Sequence, residues 1–186
     1  MVLLQLGPRT ADTTSMAVAA PSRSNEFEAE TSEGVPRRRV LFVCSAGGHL
    51  SQLMELRPWW THHQRQWVTF DLPDALSKLE GEHLVAAHHP TTRNIPNLVR
   101  NFVLAQRVLR EFKPDVVVST GAAVAFPFFV AARARRVPTV YLEVYDRIDS
   151  RTLTGRLCLP FTSEFLTQWS EQRDLYPGSK LIGPIY

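Results

Sequence analysis

The chain has 186 residues, enough for one domain with a full core and cramped for two, and its 44% hydrophobic and 21% charged residues are ordinary for a soluble globular protein. Its net charge of +3 is uneven: residues 1–36 hold two Arg against five Asp and Glu, which leaves +6 on the remainder, an excess that suits nucleic acid, an anionic bilayer or phosphorylated substrates alike. The only run of three basic residues, Arg37 to Arg39, has no RNP, zinc-finger or basic-zipper pattern beside it, so no nucleic-acid partner is expected.

Residues 1–36 are rich in Ser, Thr, Glu, Pro and Ala without periodicity and read as a disordered leader. The opening MVLLQLGPRT is too short for a signal sequence and lacks a basic flank before it. No stretch approaches the ~20 apolar residues of a membrane span, so a cytoplasmic location is expected, with any membrane contact peripheral.

From residue 37 the chain reads as one regular domain. The apolar run Arg39 to Cys44 predicts a first strand, Ser45-Ala46-Gly47-Gly48-His49 a glycine turn, and the spacing of Leu50, Leu53, Met54 and Leu56 a helix from His49 towards Trp59. QWVTFD predicts a second strand ending near Asp71, Pro73 to Glu80 a short helix, and HLVAAHH a weaker third strand. Ile95 to Lys113 is the longest helical pattern, its apolar stripe of Leu98, Phe102, Ala105, Leu109 and Phe112 set beside Arg100, Arg107 and Arg110. That stripe fits packing on a sheet, and its basic margin also fits a membrane surface.

PDVVVST is a continuously apolar run of the kind found in central parallel strands buried on both faces, followed by a small-residue helix from about Ala123 to Arg135. PTVYLE predicts another buried strand, DRIDSRTLTGRL a polar loop leading into a short helix, and EFLTQW and KLIG two final short strands around a helix or turn at Glu171 to Tyr176. Strands alternating with helices at this cadence predict an α/β fold, a doubly wound parallel sheet of Rossmann-like type.

In such a sheet ligands bind beyond the carboxyl ends of the strands, near the point where strand order reverses. Three loops qualify. In the first, Ser45, Gly47 and Gly48 let backbone approach an anion at a helix start, and His49 has the near-neutral pKa of a general base; the same residues also fit a plain tight turn with His49 as a cap. The turn matches neither GxGxxG nor a P-loop. In the second, Thr120 and Gly121 offer a hydroxyl and accessible backbone, a common turn signal. In the third, Glu143 could accept from sugar hydroxyls and Arg147 hold a phosphate, or the two could form a structural ion pair.

Other chemistries find no support. The GxSxG elbow of a hydrolase is missing, and His62, His63, His88 and His89 have no HExxH or comparable metal spacing, so neither a metal nor a cofactor is expected. Cys44 and Cys158, far apart and flanked by apolar residues, read as reduced core thiols.

SAGGHLSQLMEL, STGAAVAFPFF, VYLEVYDRIDSRTLTGRL and QWSEQRDLYPGSKLIGPIY, in that order, resemble the small glycosyltransferase subunits related to the membrane-anchoring subunit of the eukaryotic dolichol-linked N-acetylglucosaminyltransferase. The nearest likeness is to bacterial capsular and exopolysaccharide subunits. The resemblance runs from about Arg39 to Tyr186 and implies the N-terminal half of a two-domain GT-B glycosyltransferase. A second small subunit would then carry the half that binds the UDP-sugar, and Gly183-Pro184-Ile185-Tyr186 falls where a one-chain enzyme would pass into its second domain. The resemblance further implies a polyprenyl-diphosphate-linked sugar as acceptor, facing Gly47, Gly48, His49, Thr120 and Gly121, with Glu143 and Arg147 matching a Glu and an Arg of the third block. It places the protein at the inner membrane face. Departures are the lack of an N-terminal span, Gln52 where relatives tend to have Glu, and Ala122 and Ala123 in the second loop. The rival expectation is a non-catalytic scaffold that stabilises and localises the partner.

Overall fold

The computed structural model describes residues 36–185; the leader expected over residues 1–36 lies, Pro36 aside, outside the described residues. Seven strands form one parallel sheet: β1 (Arg39–Val43), β2 (Gln64–Thr69), β3 (Leu84–Ala86), β4 (Val116–Ser119), β5 (Thr139–Leu142), β6 (Glu164–Thr167) and β7 (Lys180–Leu181). Their order is β3-β2-β1-β4-β5-β6-β7, the doubly wound arrangement, with the reversal between β1 and β4. Leu41 lies in register with Gln66 on one side and Val117 on the other, and the continuous apolar runs of β4 and β5 are buried along their whole length.

The helices are α1 (Gly48–Glu55), α2 (Arg57–Trp60), α3 (Pro73–Lys78), α4 (Ile95–Phe112), α5 (Ala125–Ala134), α6 (Leu153–Cys158) and α7 (Ser170–Leu175), with a 3₁₀ turn at Leu159–Phe161. Where one helix from His49 towards Trp59 is expected, α1 stops and α2 begins. Pro58 lacks an N–H and its ring would clash with the carbonyl of Met54, so the helix restarts with Pro58 in its first turn, where the missing donor costs nothing.

Alternation along β1 divides the core. Leu41 and Val43 join a cluster with Leu104, Ala105 and Val108 of α4 and Phe128 and Phe129 of α5. Phe42 points the other way, stacked on Trp67 at 4.2 Å and edge-on to Trp59 at 6.2 Å, with Trp60 packed against Trp67. The Arg65 guanidinium lies over Trp60 and donates from Nε and Nη2 to the two oxygens of Glu82, at 2.7 and 2.5 Å. Glu82 also accepts from the Trp67 indole. Trp60 is thus a core residue under β1 and β2, and Trp59 is half-buried beside Phe42.

Helix α4 begins at Asn94, whose side chain accepts from the Asn97 N–H at 3.0 Å, a cap worth about 1 kcal/mol. It ends at Lys113, in a left-handed conformation before Pro114. Asn101 ties it to the end of β3, accepting from the His88 N–H and donating to the His88 carbonyl, both at 2.9 Å. Strand β3 is shorter than expected because the backbone of His88 bonds to this side chain rather than to a strand. No helix among the described residues is long and apolar enough to cross a membrane. Cys44 and Cys158 are free and buried, and burial pushes both thiols up to about 12.

Candidate functional site

The loops after β1 and β4 meet at the reversal of strand order. The Thr120 hydroxyl donates to the His49 carbonyl at 2.8 Å, and His49 Nδ1 bonds to the Thr120 carbonyl at 2.9 Å. A carbonyl can only accept, so Nδ1 carries the proton and Nε2 holds the lone pair. Burial holds His49 below its ordinary value; the Thr120 carbonyl and Asp146 raise it and Arg147 lowers it further. A neutral imidazole of fixed tautomer at a helix start is a competent proton acceptor.

Gly121 is required by the same packing. Its φ is +108°, and a Cβ there would lie 2.5 Å from the Tyr141 hydroxyl and 3.5 Å from His49 Cε1. Its N–H donates to Ser119 Oγ at 2.9 Å. Ala122 follows at φ +63°. Gly47, at φ +76°, donates its N–H to Asp74 Oδ2 at 2.8 Å, so a carboxylate of α3 already occupies one donor of the glycine turn. Ser51 and Lys78 extend this brace, the hydroxyl donating to the Gly47 carbonyl and the ammonium to the hydroxyl.

The third loop is held from below. Glu143 is 0% exposed, and its carboxylate accepts from the Val144 N–H and the Thr152 hydroxyl, each at 3.1 Å, and from the Tyr176 hydroxyl. Thr152 in turn caps α6, accepting from the Gly155 N–H, while its own N–H donates to Tyr176. Burial raises Glu143 above the usual carboxylate range, against the lowering by Tyr176, Val144, Thr152 and Arg147. Gln172 donates to the Val144 and Arg147 carbonyls, Gln168 to that of Glu143, and the Trp169 indole to that of Tyr145.

These loops enclose a cavity of about 230 Å³ lined in part by Gly48, His49, Gln52, Tyr141, Asp146 and Arg147. A second, of about 660 Å³, adjoins it through Gly48, Gln52 and Tyr145 and extends to Trp169 and Ile185. Of the residues singled out from sequence, Gly48, His49 and Arg147 line the first cavity. Gly121 packs directly behind it, and Thr120 acts through His49. Ser45 and Gly47 form the turn without lining either cavity. Glu143 is buried beneath the loop and forms no ion pair with Arg147 among those of the described residues. Among the described residues no group of three His, Cys, Asp or Glu could hold a metal ion.

The sequence carried Gln52 only as a departure from the resembled family, and Tyr141, Thr152, Gln168, Gln172 and Tyr176 were not singled out. Tyr141 carried a signal, a polar-tipped aromatic inside a buried strand; the two glutamines carried none.

A family model described as "Oligosaccharide biosynthesis protein Alg14 like" matches residues 86–185, which include the second and third loops but not the glycine turn. The UDP-N-acetylglucosamine transferase subunit ALG14 of Mus musculus is 22% identical over 179 residues, covering 79% of this chain and 82% of that protein. The same-named subunit of Yarrowia lipolytica is 29% identical over 89 residues, covering 45% and 41%. A UDP-N-acetylglucosamine–N-acetylmuramyl-(pentapeptide) pyrophosphoryl-undecaprenol N-acetylglucosamine transferase of Halothermothrix orenii is 36% identical over 72 residues, 39% of this chain. The match thus spans only 19% of that transferase and 41% of the Yarrowia subunit. Among solved structures, MurG of Acinetobacter baumannii aligns with a TM-score of 0.63 at 16% identity, covering 78% of this chain and 44% of that one. A UDP-GlcNAc 2-epimerase of Methanocaldococcus jannaschii aligns at 0.58 and 12%, covering 73% and 41%. These likenesses carry the fold.

Proposed function

The chain belongs to the Alg14-like family of oligosaccharide biosynthesis proteins, and from that premise we propose that residues 37–186 supply one half of a GT-B glycosyltransferase cleft as a single Rossmann-like domain. It is a subunit of a UDP-N-acetylglucosamine-type transferase in lipid-linked oligosaccharide or exopolysaccharide synthesis. It binds a polyprenyl-diphosphate-linked sugar, and a second small subunit brings the UDP-sugar. The observation that carries this reading is His49, a neutral base of fixed tautomer lining a cavity at the strand-order reversal. Its Nε2 takes the proton from an acceptor hydroxyl as that oxygen attacks the sugar carbon of the donor, and the nucleoside diphosphate leaves with the bonding pair. Arg147 and the N–H groups opening α1 face the acceptor diphosphate. Thr120, Gly121 and Glu143 position these groups from behind, and Ser45 and Gly47 shape the turn.

The protein works at the inner membrane face. Ile95, Val99 and Val103 are 71%, 56% and 67% exposed along one side of α4, with Arg93, Arg100 and Arg107 exposed about them. Helix α4 starts at the site end of the sheet, so its apolar end and the cavity face the same way. The test is affinity purification of the tagged full chain from its own cells, as wild type and His49→Ala. The variant is expected to retain the same companion subunit while transfer falls by a factor of about 100 or more. Unchanged transfer by the variant would remove His49 from the chemistry.

A further inference from the structure

Gln52 lies one turn beyond His49 on α1, where the two cavities adjoin. It is only 6% exposed, and its Oε1 is buried without a hydrogen-bond partner. Three other buried polar atoms among the described residues share that condition, on Trp59, Gln66 and Thr69, and none of these side chains lines either cavity. A buried carbonyl oxygen left unpaired costs about 1–3 kcal/mol. On α1 the neighbouring positions Leu50 and Leu53 are wholly buried and apolar, so an apolar residue at position 52 would avoid that cost.

An amide presents one acceptor and two donors, and a half-turn about its last side-chain bond exchanges the end that faces the cavities. Its natural counterpart is a group that offers a donor and an acceptor side by side. Sugar hydroxyls and acetamido groups both do so; a bare diphosphate offers acceptors alone. His49, three residues before it on α1 and on the same face, and Arg147 line the smaller cavity with it.

On the reading that the acceptor is a diphosphate-linked sugar, we propose that Gln52 recognises the sugar itself, its amide pairing with a ring hydroxyl or acetamido group where the cavities meet.

The experiment is calorimetric titration of the full chain with farnesyl diphosphate, farnesyl diphosphoryl-glucose and farnesyl diphosphoryl-N-acetylglucosamine, using wild type and Gln52→Met. Wild type is expected to bind at least one sugar-bearing compound about tenfold more tightly than farnesyl diphosphate. In Gln52→Met that preference should vanish while affinity for farnesyl diphosphate stays the same, and the melting temperature should hold or rise as the unpaired oxygen is lost. A preserved sugar preference in Gln52→Met overturns the assignment and leaves the acceptor reading intact. Binding of none of the three by wild type overturns both. Should Gln52→Met fail to melt cooperatively, Gln52→Leu carries the same comparison with the same outcomes.

Discussion

Replacing Gly121 with Ala tests the packing behind the site with a single methyl group. The residue sits at φ +108°, where a side chain costs on the order of 1–2 kcal/mol before any contact is considered. The added Cβ would then stand 2.5 Å from the Tyr141 hydroxyl and 3.2 Å from its Cζ. Tyr141 cannot swing away cheaply. It is 1% exposed, stacked on Phe165 at 4.8 Å and edge-on to Phe129 at 5.9 Å. Overpacking of this kind adds about 1–3 kcal/mol, giving about 2–5 in all. In a domain of this size that is a fall in melting temperature of roughly 5–15 °C. The assay is urea and thermal denaturation of wild type, Gly121→Ala, Tyr141→Phe and the double variant. Removing the hydroxyl abolishes the closest contact but not the backbone strain, so the double variant should recover about 1–2 kcal/mol of the loss as a coupling energy. A Gly121→Ala loss below about 0.5 kcal/mol, or no coupling to Tyr141, would refute this account of the second loop.

Glu143→Ala strips the acceptor from Thr152, Tyr176 and the Val144 N–H and should cost about 2–4 kcal/mol in urea unfolding. Because the folded pKa of Glu143 is raised, its contribution is fully present below the ordinary value of 4.5 and is lost as pH rises through the folded value. Glu143→Gln should therefore gain stability relative to wild type from that pH towards neutrality, and a constant difference would contradict the raised pKa. His49 titrates with the opposite sense. Its folded pKa is lowered, so its contribution is present above the ordinary 6.5 and is lost as pH falls below it. His49→Gln should flatten that part of the stability profile, and an unaltered slope would show that His49 is not the group responsible. Serine at Ile95, Val99 and Val103 together should leave the melting temperature nearly unchanged, since all three are exposed. Binding to vesicles containing anionic lipid should drop about a hundredfold, from about 1 kcal/mol per side chain; undiminished binding would move the membrane contact elsewhere.

Much of the frame is legible in the chain because its cause is local. A β-branched run, two glycines and a helical period state strand, turn and helix between Arg39 and Glu55, and four consecutive buried residues at Val116 to Ser119 announce a central strand. The same pattern brings His49 and Thr120 together, because both follow strands that neighbour each other at the order reversal. What escaped depends on partners far along the chain. A carboxylate after an apolar strand looks like a rim residue, yet Glu143 is sealed in by Tyr176, which no local spacing brings near. Asp74 reaches the Gly47 N–H only because α3 packs beside the glycine turn. Gln52 is visible in the sequence only as a departure from the resembled family, and a role for it emerges once the two cavities it lines are seen.

If this chain is one wall of a two-chain transferase, as proposed, sugar transfer requires both chains together. The direct measurement isolates the tagged full chain with whatever small subunit accompanies it, separates the two in high salt, and follows transfer of radiolabelled N-acetylglucosamine from its UDP conjugate to farnesyl diphosphoryl-N-acetylglucosamine. Transfer by the complex, its loss from each separated chain and its return on mixing are the expected result. Transfer at the full rate by this chain alone would contradict the account.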